Sequence, residues 1–153
     1  MTLLETLNSL KNQQIGLSDW LAIDQPMIDA FAAATGDHQW IHVDRVRAEA
    51  GPFGATIAHG YLLLSLLPRL MTGPWQHHPG VLGALNYGLD RVRFITPVRS
   101  GSRVRNRGTL IAVEDRGAGR ILVSTENTLD LEGEEKPAMV ALVLAMIITT
   151  PAM

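Results

Sequence analysis

Asp37 and His42 stand five residues apart in Thr35-Gly36-Asp37-His38-Gln39-Trp40-Ile41-His42-Val43-Asp44. A carboxylate and an imidazole at that spacing can hold one water between them. The carboxylate accepts from the water. The imidazole, with an ordinary pKa of about 6.5, orients it and relays protons near neutral pH. A second stretch follows, Gly54-Ala55-Thr56-Ile57-Ala58-His59-Gly60-Tyr61, and opens a long apolar run. Gly60 there offers a backbone N–H in the first turn of an expected helix, with no side chain to block an approaching oxygen. Acid, base and a donor for a developing oxyanion are the parts of acid–base catalysis at an activated carbonyl. Taken singly, each has a plainer reading. Asp37 after Gly36 suits a turn, and His42 suits a hydrogen-bonded structural histidine.

The elements that must position these groups can be read from spacing. Leu3, Leu4, Leu7 and Leu10 predict a short N-terminal helix. Ile15 to Ile23 predicts a first strand. Asp24 reads as an N-cap with Pro26 in the first turn, and Met27, Ile28, Phe31 and Ala32 form the apolar face that follows. Gly36 then ends that helix in a left-handed conformation, leaving Asp37 and His42 in irregular backbone just beyond it. Asp44 to Ala50 predicts a further short helix, stopped by Gly51-Pro52. Gly60 to Met71 predicts a long apolar helix, buried on most sides and kinked at Pro68.

Beyond Val81 the pattern turns to strands: Leu85–Thr96, Ser102–Glu114, Arg120–Leu131 and Ala138–Thr149. Turn signals separate them at Pro97–Gly101, Asp115–Gly119 and Glu132–Pro137. Helices first and antiparallel strands after give an α+β chain, read as a single domain over residues 1–153.

Composition narrows the function. Net charge is −2 with both signs mixed, so no nucleic acid partner is expected. Arg91, Arg93, Arg99, Arg103, Arg105 and Arg107 cluster, either as solvated strand faces or with one or two meeting ligand phosphates. The absence of Cys excludes disulfides, thiolate metal sites and a Cys nucleophile. Met1 to Gln13 does not have the form of a secretory signal. The run Ala138 to Ile148 is shorter than the roughly 20 residues that span a bilayer. The expectation is a cytoplasmic protein with no membrane partner.

Asp37 to Asp44, followed by Ile57-Ala58-His59-Gly60, resembles the MaoC-like family of hot-dog hydratases and dehydratases. The wording through Gly51-Pro52-Phe53-Gly54 is similar to the nodulation-protein-N-like branch, and Asn86-Tyr87-Gly88, Val92-Arg93-Phe94 and Pro97-Val98 continue it. The resemblance spans about Gly16 to Ile148. It implies a hot-dog fold, an antiparallel sheet wrapped around a long central helix. It also implies a homodimer joined edge to edge, and (R)-specific hydration of trans-2-enoyl-CoA without a cofactor. In those terms Asp37 and His42 hold the attacking water, and the Gly60 N–H meets the thioester oxygen. Trp40, His59, Tyr61, Asn86 and Arg93 are the expected substrate-binding residues, with His59 also fixing the start of the helix through backbone hydrogen bonds. Typical members have Asn-Pro where this chain has Gln39-Trp40. Some carry a Ser one turn beyond Ser65, where this chain has Pro68.

Two other functions fit the same fold. A hot-dog acyl-CoA thioesterase usually places an acidic residue on the central helix, and Gly60 to Met71 contains none. An acyl-thioester-binding protein without turnover would not need an intact Asp37 and His42. His38 and His42, four apart with Asp37 and Asp44 nearby, have the spacing of a helical zinc motif. No helical pattern runs through Gln39-Trp40-Ile41 to support it, so no metal is expected.

Overall fold

The computed structural model describes residues 1–150. Helix α1 (Leu3–Ser9) begins with a capping box: the Thr2 side chain accepts from the Glu5 N–H and the Glu5 carboxylate accepts from the Thr2 N–H. Strands β1 (Gln14–Leu17) and β2 (Leu21–Ile23) follow where one strand was expected. Ser18 makes the break. Its N–H and hydroxyl bond the Asn106 carbonyl and N–H, and Trp20 takes the Arg105 guanidinium over its ring at 4.5 Å.

Helix α2 (Gln25–Thr35) starts and stops as its caps dictate. Asp24 accepts from the Met27 N–H at 3.0 Å, and Gly36 sits at φ 78°, a left-handed value that suits glycine. A single turn, α3 (Trp40–Val43), forms where no helix was expected. α4 (Arg45–Glu49) is capped by Asp44.

The long helix expected from Gly60 to Met71 is instead two pieces, α5 (Gly60–Ser65) and α6 (Leu67–Leu70). Pro68 has no N–H to return to Leu64, so the ladder breaks there. Nor is this segment buried on most sides. Leu62, Leu63, Leu67 and Leu70 are buried, while Tyr61, Ser65, Pro68 and Arg69 are exposed.

Four long strands complete the chain: β3 (Val81–Phe94), β4 (Ser102–Gly117), β5 (Arg120–Leu131) and β6 (Met139–Thr149). The pairing is antiparallel, in the order β1-β4-β5-β6-β3, with β2 beside β4. Odd-numbered residues of β5 and β6 face the core, as the two-residue period of a strand requires. At one end Leu129, Leu131, Met139, Ala141 and Val143 pack against α5 and α6. At the other, Ile121, Val123, Ala145 and Ile147 pack against α1 and Trp75. Ion pairs tie β4 to β5 and its end: Arg103 with Glu132, and Arg105 and Arg107 with Asp130. The two hydrogen bonds from Arg107 hold the Asp130 carboxyl below its usual range. The expectation of solvated strand faces holds for these three arginines.

Candidate active site

Asp37 follows the left-handed cap of α2, and His42 lies on α3. A carboxylate oxygen of Asp37 and a ring nitrogen each of His42 and His59 lie within 4.8 Å of one another. Two hydrogen bonds to one water span about 4.5 Å, so a separation within that limit leaves a single water able to bridge acid and base. Asp37 is exposed; His42 and His59 are buried, at 6% and 2% exposure.

Main-chain partners set the ring chemistry. His42 Nδ1 lies 2.7 Å from the Ile57 carbonyl, so in the neutral ring Nδ1 carries the hydrogen and Nε2 is left as the base. Burial pushes the His42 pKa below its usual value. The bond to Ile57 opposes that shift, His59 adds to it, and the Asp37 charge opposes it. The His59 ring stacks on His42 with centroids 3.8 Å apart. Its Nε2 donates to the Asp37 carbonyl at 3.0 Å. The bond expected to fix the start of the helix is therefore spent on the Asp37 loop. His59 Nδ1 is buried without a partner.

Asp37, His42 and His59 form the one cluster of metal-ligand type among the described residues. His38 is not part of it, so the four-residue histidine spacing does not converge. One nitrogen of each clustered ring is already committed to a carbonyl.

Gly60 is the first residue of α5, where no intrahelical acceptor exists for its N–H. A Cβ there would meet the Phe94 ring at 3.1 Å, so a side chain would have to push the ring aside. Tyr61 is 70% exposed and packs edge-on against Phe94. Trp40 lies beneath the Arg47 guanidinium at 4.3 Å. Asn86 lines a cavity of about 940 Å³ between α5–α6 and β3, with Leu64, Ser65, Pro68, Trp75 and Tyr87. Trp40, Tyr61 and Arg93 do not line it. Arg93 follows a bulge in β3 at which Arg91 takes a left-handed φ of 49°. Sequence reasoning did not single out Gln25, Thr56 or Phe94. All three touch the site through contacts distant in sequence, which spacing does not reveal.

The family described as MaoC like domain matches residues 7–132. The chain belongs to the MaoC-like family. It is 51% identical over 139 residues to 3-hydroxyacyl-thioester dehydratase Z of Mycobacterium tuberculosis, covering 88% of this chain and 89% of that protein. It is 49% identical over 131 residues to Nodulation protein N of Rhizobium leguminosarum bv. viciae, covering 84% and 81%. These relatives support the nodulation-protein-N-like branch. Among solved structures it is similar to the (R)-hydratase from A. caviae involved in PHA biosynthesis, at TM-score 0.70 and 22% identity over 91% of this chain and 97% of that one. A MaoC-like dehydratase from Rhodospirillum rubrum gives TM-score 0.72 at 20% identity, over 93% and 94%. At such identities the likeness carries the fold alone, and that fold is the hot-dog. The expected long central helix is replaced by the broken α5–α6 pair.

Proposed function

We propose that the protein catalyses reversible (R)-specific hydration of trans-2-enoyl-CoA to the (R)-3-hydroxyacyl-CoA, without metal or organic cofactor. The observation that carries this reading is the Asp37–His42 pair, spaced for one water, with His42 Nδ1 tied to Ile57 so that Nε2 is the base. Conjugation to the thioester makes C3 of the enoyl group electrophilic. Asp37 and His42 take a proton from the water as its oxygen bonds to C3, and a proton is delivered to C2. Charge develops meanwhile on the thioester oxygen, where the Gly60 N–H donates. One water serving both groups delivers hydroxyl and proton to the same face, so addition is syn.

The proposed acyl route runs from Gly60 toward the cavity lined by Asn86. Gly60 and Leu64 share a face of α5 one turn apart, and Leu64 borders the cavity. Asn86 would meet the substrate there. Trp40 and Tyr61 are proposed to meet the substrate outside that cavity, and His59 acts by holding Asp37. Arg93 and Arg91, on β3 beside Phe94, are the arginines of that strand and are proposed to meet the CoA phosphates.

The second part of the proposal is a homodimer. Among the described residues strand β3 is a sheet edge paired only with β6, and Leu82, Leu85 and Tyr87 on it are 67%, 60% and 57% exposed. A second copy paired along β3 would satisfy its free backbone groups and cover these side chains. No helix among the described residues is long and apolar enough to cross a membrane. A cytoplasmic location is proposed with this activity, since it suits an acyl-CoA substrate.

The test is hydration of crotonyl-CoA and longer trans-2-enoyl-CoAs, followed by loss of enoyl-thioester absorbance. Coupling to an (S)-specific 3-hydroxyacyl-CoA dehydrogenase should give no reduced cofactor. A strong coupled signal would overturn the assigned face, and no hydration of any chain length would overturn the activity.

A further inference from the structure

The groups proposed to touch water and thioester are not those that hold His42 in place. α3 is a single turn of four residues, too short to keep its geometry alone in water. We propose that Gln25, acting with Thr56, is the positioning residue for His42. This rests on the acid–base reading above. Gln25 opens α2 and is 9% exposed; Thr56 is 3% exposed.

The Gln25 amide nitrogen donates to the His42 carbonyl at 2.8 Å and to the Asp29 carboxylate at 2.8 Å. Its amide oxygen accepts from the Thr56 hydroxyl. Two acceptors on one side and a hydroxyl donor on the other fix which way the amide faces. Asp29, one turn along α2, holds the amide from behind. Thr56 immediately precedes Ile57, whose carbonyl accepts from His42 Nδ1 at 2.7 Å and whose N–H donates to the Ile41 carbonyl at 3.0 Å.

One buried amide therefore ties the main chain of His42 to the segment that holds its ring. The distance between those two anchors sets the direction in which Nε2 points. A displaced His42 still binds substrate but no longer aims at the water, so the cost falls on kcat. Leaving the His42 carbonyl and the Thr56 hydroxyl buried without partners makes displacement the favoured response.

The experiment compares Gln25→Met, which keeps the chain length and removes all three bonds, with wild type on crotonyl-CoA. Expected are a kcat lower by about 10- to 100-fold, in line with sub-ångström misplacement, a KM within about twofold, and a shifted His42 titration by NMR. In a His42→Gln background the same change should cost no further rate. Thr56→Val, which removes only the hydroxyl, should lower kcat by a smaller factor, and Thr56→Ser should restore it. If Gln25→Met does not fold, the Thr56 pair decides by the same measures. A folded Gln25→Met or Thr56→Val with wild-type kcat, a loss confined to KM, or an undiminished further loss without His42 would each overturn the inference. Wild-type rates from His42→Gln would instead sink the acid–base reading itself.

Discussion

The acid–base loop and the β3 edge are built in opposite ways. Around His42 the chain answers its own polar groups: Ile57 takes the ring, Gln25 takes the carbonyl, and His59 takes the Asp37 carbonyl. Strand β3 has no buried residue along its 14 positions and presents Leu82, Leu85 and Tyr87 outward. Apart from the buried, unpartnered His59 Nδ1, the first region is held together within one chain. The second has a face and an edge that this chain leaves uncovered. Burial of a reactive group can be local, because a few hydrogen bonds suffice. Burial of a strand is collective and needs a whole opposing surface.

The largest expected effect tests the acid–base loop. Asp37→Asn and His42→Gln should each lower hydratase kcat by about 10²–10⁴-fold with the circular dichroism spectrum unchanged. Near-wild-type rates from both folded variants would end the assignment.

Gly60→Ala comes next and probes where the two regions meet. The new Cβ presses on Phe94. Removing one oxyanion donor costs about 10²–10³-fold, and a displaced donor should cost less, about tenfold. Phe94→Leu in the same chain should recover part of the rate. No recovery would mean that the ring is not the obstacle.

The open region is tested by charge. Leu85→Lys with Tyr87→Lys should turn a dimer into a monomer in sedimentation velocity. On a free surface such changes move stability by less than about 0.5 kcal/mol, so an unchanged sedimentation coefficient would remove β3 as the interface.

The smallest effect is in pH. The lowered His42 pKa places the acid limb of kcat/KM below about 6.5. For stability the sign follows from proton uptake. The unfolded chain binds this proton more readily than the folded one. The His42 contribution is therefore complete above about pH 6.5 and declines as pH falls toward the lowered folded value. An acid limb above 6.5 would contradict the buried, neutral ring.

Much of this was legible in the sequence, and the failures have physical causes. Asp24, Gly36 and Asp44 cap helices as read, because capping is a contact within four residues. β5 runs from Arg120 to Leu131 as expected, bounded by its turns. Asp37 and His42 converge, but the tie to Ile57 crosses 15 residues and has no periodic signature. Gln25 reads as an ordinary first-turn residue; only tertiary burial gives it partners. The run from Gly60 was read as one kinked helix, although Pro68 already removes the bond that would join the halves. Apolar residues on β3 showed that a face must be covered, not that the same chain would fail to cover it.

The Phe94 ring belongs to β3 and roofs Gly60. The proposed association along β3 and the proposed binding of a thioester at Gly60 would then act on the same side chain, and their free energies would be linked. Whatever factor a bound thioester lends to pairing of two copies, pairing must lend to the thioester. Specific activity should rise with protein concentration through the dissociation midpoint, and saturating substrate should move that midpoint to greater dilution. A loose edge strand would in this way make catalytic competence a property of how much protein is present.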